Sequence, residues 1–124
     1  MLFRSQILGA PADAAFQEAG DYLLNRLPDV GDYHLYYWYY GTLGMFQLGG
    51  VHWQRWNDRL TATLLATQEK TGHAKGSWAP LKPFGVDGGR VFSTAASALC
   101  LEVYYRYLPM YRSSGRAAAP GPSP

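Results

Sequence analysis

Two segments of the chain carry apolar side chains on one side only, at the spacing of an α-helix. In residues 12–27 the apolar positions recur every three or four residues, and charged or amide side chains fill the positions between them. Residues 51–68 repeat this pattern, with Trp53, Trp56 and Leu60 among the apolar positions. Both segments predict amphipathic helices that keep one face in water.

Two other segments are apolar around their whole circumference. Residues 33–48 contain the densest run of aromatic side chains, with almost no charge, and end at a pair of glycines that suits a helix C-terminus. Residues 90–108 are interrupted by Glu102 and Arg106 and are followed by Pro109, which predicts the end of the helix. A helix of this kind is normally buried on all sides, so we expect two inner helices that the amphipathic helices shield.

The inner helices also resemble each other in sequence. Tyr40-Gly41-Thr42 is echoed by Phe92-Ser93-Thr94 fifty-two positions later, and Leu8-Gly9 is echoed by Leu48-Gly49. Residues 2–8 are therefore interpreted as the tail of a further inner helix, which gives an all-α chain of about five helices in stacked hairpins with a period of roughly 40 to 50 residues. The alternative is an ordinary five-helix bundle whose internal likeness is accidental.

The composition of the chain indicates a single domain and argues against several classes of protein. The 124 residues are 48% hydrophobic, which suffices for one domain over residues 1–112, and the Ser-, Gly-, Ala- and Pro-rich residues 113–124 predict a disordered tail. The formal charge is only +2 and the basic residues are scattered, which argues against a nucleic-acid-binding surface. No apolar run approaches the length of a membrane span. A single cysteine excludes an internal disulfide and leaves the cellular compartment open.

The loop after the second amphipathic helix carries a motif. In the string QEKTGHAKGSW, Gln68 is followed by Gly76, Ser77 and Trp78. These residues resemble the QW motif of triterpene cyclases, here with a longer spacer, in which the Gln and Trp side chains tie neighbouring hairpins together. The physical reason is that a Gln amide satisfies free backbone groups at a helix end while a Trp ring covers the loop.

With the aromatic inner helices and the string GSWAP, this motif makes residues 2–112 similar to prenyltransferase and squalene-cyclase repeat proteins. The resemblance implies an α/α toroid, in which inner helices surround a central cavity and outer helices pack around them. A closed toroid contains more hairpins than this chain carries. We therefore expect an incomplete ring, which is either a fragment or completes itself by association.

The catalytic groups that the resemblance brings with it are incomplete. A squalene-hopene-type cyclase protonates its substrate with a DxDD cluster, whereas residues 29–32 retain only the outer two aspartates and predict a turn and helix cap. A protein prenyltransferase holds zinc with Asp, Cys and His, but Cys100 lies in an apolar helix away from any His and predicts a core residue. Complement-like toroids react through a Cys-Gln thioester in a GCGEQ string, and this string is absent here. We therefore expect no catalytic residue, metal site or cofactor.

Several aromatic side chains and one carboxylate are candidates for a ligand cavity. The tyrosines are Tyr36, Tyr37, Tyr40 and Tyr104, and the competing interpretation is a plain core in which their hydroxyls reach loop backbone. Glu102 is costly inside an apolar helix unless it is paired, and Arg106 one turn later predicts an ion pair. A cavity-facing acid is the alternative for Glu102.

The sequence thus favours a noncatalytic repeat module or fragment with a packing or binding role. The alternative is part of a terpene cyclase whose catalytic acid lies outside this chain. The expected partners are the remainder of the toroid or a second copy, and an apolar or isoprenoid molecule is the candidate ligand. Nucleic acid and a membrane span are not expected.

Overall fold

A computed structural model describes residues 14–83 and 85–114 of the chain, with side chains in the last helix described for residues 86–106. These residues form four helices: α1 (Ala14–Leu24), α2 (Leu35–Leu48), α3 (Gly50–Thr67) and α4 (Gly85–Ser114). Within the described ranges there is no β-strand, and isolated backbone bridges occur at Asp29–Asp32 and Gln68–Trp78. The predicted all-α class is confirmed for this part of the chain.

The helix bounds agree with the sequence pattern at most ends. The expected stop at Pro109 is wrong, because α4 continues to Ser114; a proline removes one backbone donor and does not always end a helix. Helix α4 also begins earlier than expected, at Gly85, and bends at Gly89, whose φ of 69° and ψ of −170° interrupt the helical backbone. The predicted helix at residues 2–8 and most of the predicted tail lie outside the described residues.

Helix α2 packs against each of the other three helices. Helix α3 runs antiparallel to α2, since Trp53 near its start meets Phe46 while Trp56, further along, meets Thr42. Helix α4 runs in the same direction as α2, because α2 residues near its start face Phe92 and Phe46 near its end faces Tyr104. The chain therefore places α2 beside the parallel α4 and against the α1 and α3 pair.

The apolar stripe of α3 forms much of the core. Trp56, Leu60 and Leu64 are fully buried, as the helical spacing of these residues predicts. They pack with Trp38 from α2 and with Trp78 from the following loop. Burial of these large side chains contributes most of the free energy that holds α2 and α3 together.

The expected burial of the two inner helices on all sides is wrong. Tyr36 and Tyr40 of α2 are about half exposed, and Val91 and Tyr105 of α4 are 83% and 77% exposed. The reason is geometric: among the described residues, no helix covers this side of α2 and α4. An apolar circumference therefore leads to complete burial only where enough elements surround the helix.

Candidate functional site

An apolar groove lies between the exposed sides of α2 and α4. It encloses about 190 Å³ and is lined almost wholly by apolar atoms. The α2 wall consists of Leu35, Tyr36, Tyr39 and Tyr40, and the α4 wall consists of Phe92, Ala95, Ala96 and Leu99. Among the described residues the groove is partly open to solvent.

The helical repeat explains which residues form the two walls. The α4 residues Phe92, Ala96 and Leu99 are spaced by three or four positions and therefore share one face. The short side chains of Ala95 and Ala96 leave space opposite the large rings of α2. Further along the same helix pair, Phe46 fills the gap against Tyr104, with ring centroids 6.3 Å apart. The groove is thus the part of the interface where small residues replace large ones.

Tyr36 and Tyr40 form a polar edge to this groove. Their ring centroids are 4.8 Å apart at an interplanar angle of 56°. The neighbouring Tyr36 hydroxyl raises the pKa of Tyr40 above its ordinary value. The Tyr40 phenol is therefore neutral at physiological pH, and the edge offers hydroxyl groups to a ligand.

The other two predicted tyrosines lie elsewhere. Tyr37 donates its hydroxyl to the backbone carbonyl of Arg26 across 3.0 Å and packs edge-on against Trp56. Burial raises the pKa of Tyr37. Tyr104 lies parallel to Trp53, with ring centroids 6.4 Å apart. The structure therefore brings Tyr36 and Tyr40 together in the groove and places Tyr37 and Tyr104 in other contacts.

Glu102 is exposed and forms no ion pair with Arg106 among the described contacts, so the predicted pair is not present. The cause is the rotational position of α4, which turns Cys100 and Val103 into the core. Glu102 then points outward, on the side of the helix that also carries Leu99 of the groove. An exposed carboxylate requires no partner, because water solvates it.

The residues of the QW-like motif are joined by hydrogen bonds. The side-chain amide of Gln68 donates to the carbonyl of Gly76 across 2.9 Å, and the indole of Trp78 donates to the carbonyl of Leu64 across 2.8 Å. Gly76 adopts a φ of 85°, a left-handed conformation that favours glycine. The motif therefore closes the loop back onto the C-terminal end of α3, where the Leu64 carbonyl also accepts from the Gln68 backbone N–H.

Two contacts attach this loop to α4, and sequence analysis did not identify them. The backbone N–H of Trp78 donates to the hydroxyl of Thr94 across 3.2 Å, and the Arg90 guanidinium donates to the Ser77 hydroxyl across 2.9 Å. The sequence did offer a signal for Thr94, because it belongs to the string Phe92-Ser93-Thr94 that echoes Tyr40-Gly41-Thr42. The position of Arg90 carried no such signal, since its partner lies thirteen residues away.

The remaining candidates have structural roles. Burial raises the pKa of the Cys100 thiol to about 12, which favours the protonated thiol at neutral pH. Asp29 accepts a hydrogen bond from the Gly31 backbone N–H across 2.8 Å and pairs with Arg59, which confirms the predicted turn. The helix cap is supplied instead by His34, whose Nδ1 accepts from the Tyr37 backbone N–H.

A group of buried hydroxyls lies deeper in the fold. Tyr33, Ser93 and Ser97 are nearly or fully buried, and their hydroxyls have no hydrogen bond of normal geometry. Burial raises the pKa of Tyr33, an effect that the neighbouring hydroxyls of Ser97 and Thr67 partly oppose. This group is closed to solvent and separate from the groove lining.

Neither a metal-binding cluster nor a membrane-spanning helix occurs in the described ranges. They hold no cluster of three or more His, Cys, Asp or Glu side chains arranged to bind a metal ion. None of the helices traced there combines the length and apolar character required to cross a bilayer.

Comparison of the chain with protein-family models, with curated proteins and with solved structures gives no match.

Proposed function

We propose that this chain is a noncatalytic module of stacked helical hairpins, of the prenyltransferase and squalene-cyclase repeat type, that binds a short apolar chain in the groove between α2 and α4. The observation that carries the proposal is the groove itself, an open apolar site of about 190 Å³ beside two exposed tyrosines. Pockets for drug-sized ligands usually occupy about 300–1,000 Å³, so this groove fits a smaller molecule.

The arrangement of the helices supports the hairpin interpretation. Helices α2 and α4 run parallel, as successive inner helices of stacked hairpins do. Thr42 and Thr94, at equivalent places of the repeated string, both accept a hydrogen bond from a tryptophan. Trp56 donates from its indole and Trp78 from its backbone, so the two contacts are related without being identical.

The chemistry of the groove supports a binding role without catalysis. Its eight lining residues include no carboxylate, imidazole or amine, and their polar side chains are tyrosines. General acid–base catalysis needs a group whose pKa lies near the working pH and within hydrogen-bond reach of the substrate. The raised pKa of Tyr40 moves its phenol away from that condition.

Binding is tested by titrating the isotope-labelled protein with geraniol, a short isoprenoid alcohol. We expect the backbone amide signals of Ala95 and Ala96 to shift and saturate, because these residues form the floor of the groove. Ala95→Trp fills the groove and should abolish the shifts. Ala66→Trp, an exposed alanine on α3, is the matched control and should leave them unchanged. Equal binding by both variants would contradict the proposed site.

The noncatalytic role is tested separately with squalene and with prenyl diphosphates as substrates. We expect the purified chain to return both unchanged. Turnover that depends on the groove would remove the noncatalytic assignment and favour the terpene-cyclase alternative.

A further inference from the structure

We infer that the groove between α2 and α4 selects apolar molecules with a neutral hydrogen-bonding end, such as an alcohol or ester, over the corresponding carboxylates and diphosphates. This inference rests on the proposed binding function and adds the class of ligand. It concerns the end of the ligand that meets Tyr36 and Tyr40, while the hydrocarbon part occupies the space above Ala95 and Ala96.

The first argument is the absence of a compensating charge in the lining. Among the described residues that line the groove, none is cationic, so a carboxylate or diphosphate entering it would lose water without gaining an ion pair. Diphosphate sites in proteins normally combine backbone N–H groups with Arg, Lys or a metal ion. The groove-lining Leu35 begins α2, but His34 already accepts from the Tyr37 backbone N–H in this first turn, and the lining adds no cation. Anionic ends are therefore disfavoured at this site.

The second argument is the hydroxyl pair at the groove edge. Tyr36 and Tyr40 are 56% and 47% exposed, so a ligand at the edge can reach their hydroxyls. A phenol hydroxyl can both donate and accept a hydrogen bond, and the two rings lie side by side with centroids 4.8 Å apart, so the edge offers both functions to a ligand. A ligand hydroxyl or carbonyl oxygen has a partner here, and it keeps that partner without bringing charge into an apolar site.

The third argument concerns the charged residues that follow the α4 wall along the helix. Glu102 lies three positions after Leu99 and extends the same side of α4 with a negative charge. Arg106 follows one turn later, further from the groove-lining residues along the helix. The first charge that follows the α4 wall towards the C-terminus is therefore a carboxylate, which repels an anionic end, whereas the guanidinium of Arg90, before the wall, donates to Ser77.

The test compares ligands that share one hydrocarbon chain. Geraniol, methyl geranate, geranic acid and geranyl diphosphate are titrated at pH 7, and amide shifts at Ala95 and Ala96 report occupancy. We expect the alcohol and the ester to bind with similar affinity, and the acid and the diphosphate to bind about tenfold or more weakly, which corresponds to about 1.4 kcal/mol.

Variants that lack the Tyr36 and Tyr40 hydroxyls test whether these groups bind the neutral end of the ligand. The double substitution Tyr36→Phe with Tyr40→Phe should weaken geraniol several-fold and leave the hydrocarbon myrcene unaffected, because only the hydroxyls are removed. Tyr22→Phe, an exposed tyrosine on α1, is the control and should change neither ligand. Circular dichroism and the unfolding midpoint establish that the double variant remains folded.

Two outcomes would contradict the inference in different ways. Geranic acid or geranyl diphosphate binding as tightly as geraniol would overturn the preference for neutral ends while leaving the groove as a binding site. Failure of all four ligands and of myrcene to shift Ala95 and Ala96 would overturn the proposed binding function and this inference together.

Discussion

The indole Nε1 of Trp56 donates a hydrogen bond to the hydroxyl of Thr42 across 2.9 Å. The same hydroxyl donates to the carbonyl of Trp38 across 2.6 Å, so one buried Thr side chain joins α3 to α2. Trp56 and Thr42 are both fully buried, and water cannot replace either bond. This contact fixes the register of α3 against α2, and α2 forms one wall of the groove.

Replacing the Thr42 hydroxyl should destabilise the fold. Thr42→Val keeps the shape but leaves the buried indole N–H without an acceptor, which costs about 1–3 kcal/mol of unfolding free energy. Thr42→Ser keeps the hydroxyl and is the control, with an expected smaller loss. Urea denaturation followed by tryptophan fluorescence measures both. Equal stability of the two variants would show that the hydrogen bond contributes little.

A methyl group at Gly41 should separate α2 from α3. An added Cβ there lies 2.6 Å from Cζ2 of the buried Trp56 ring, which has no room to withdraw. We expect Gly41→Ala to lose about 1–3 kcal/mol of stability by overpacking. Gly44→Ala is the control in the same helix, because its Cβ meets no atom within 4 Å.

Gly44→Ala should be neutral or stabilise the protein by up to about 1 kcal/mol, since alanine favours helix over glycine. The thermal unfolding midpoint ranks the two variants. A Gly41→Ala protein as stable as Gly44→Ala would contradict the close approach of Trp56.

The indole of Trp78 should anchor the loop that follows α3. Trp78→Phe removes the hydrogen bond to the Leu64 carbonyl while keeping an aromatic ring, and we expect a loss of about 1 kcal/mol. Amide hydrogen exchange of Glu69 and Gly76, whose N–H groups are bonded within the loop, should quicken. Lys75→Ala, at an exposed loop position, should leave both exchange rates unchanged.

We expect the stability of the fold to depend on pH in the acid range because of the Asp29 carboxyl. The Gly31 backbone N–H and then Arg59 lower the pKa of Asp29 below its ordinary value of 3.8. A lowered folded pKa stabilises the fold above the ordinary value, and this stability is lost as pH falls through the folded pKa. The stability difference between the wild type and Asp29→Asn should therefore be largest near neutral pH and disappear in acid.

Denaturant unfolding between pH 7 and pH 2 measures this difference. Arg59→Gln leaves the larger contribution from Gly31 in place, so it should retain more of the acid dependence than Asp29→Asn. A constant offset between the wild type and Asp29→Asn across this range would contradict the lowered pKa.

Neutralising Glu102 should leave stability unchanged. The carboxylate is exposed and has no ion pair among the described contacts, so Glu102→Gln should alter the unfolding free energy by less than about 0.5 kcal/mol. A loss above 1 kcal/mol would instead indicate the ion pair with Arg106 that the sequence predicts.

Local features of the fold were predictable because they depend on near neighbours along the chain. The apolar stripe of α3, the turn at Asp29 and the burial of Cys100 all follow from side-chain spacing and turn chemistry. The motif residues Gln68 and Trp78 were also identified from their order alone, and their hydrogen bonds lie within one loop and helix end.

The groove was only partly predictable because it depends on how two distant helices meet. Tyr36 and Tyr40 were candidates through their aromatic character, but Ala95 and Ala96 become important only when α4 lies beside α2 in this register. The same register separates Tyr104 from the groove, although its sequence character matches theirs.

The sequence by itself determined that the described chain is helical, because the three-to-four-residue recurrence of apolar side chains is a property of each segment alone. The tertiary structure decided which sides of α2 and α4 are buried, since burial depends on how many helices surround each one. It left Val91 in water and enclosed Ser97, a reversal of their usual preferences that arises from helix packing, and it kept Glu102 in water although its helix is largely apolar.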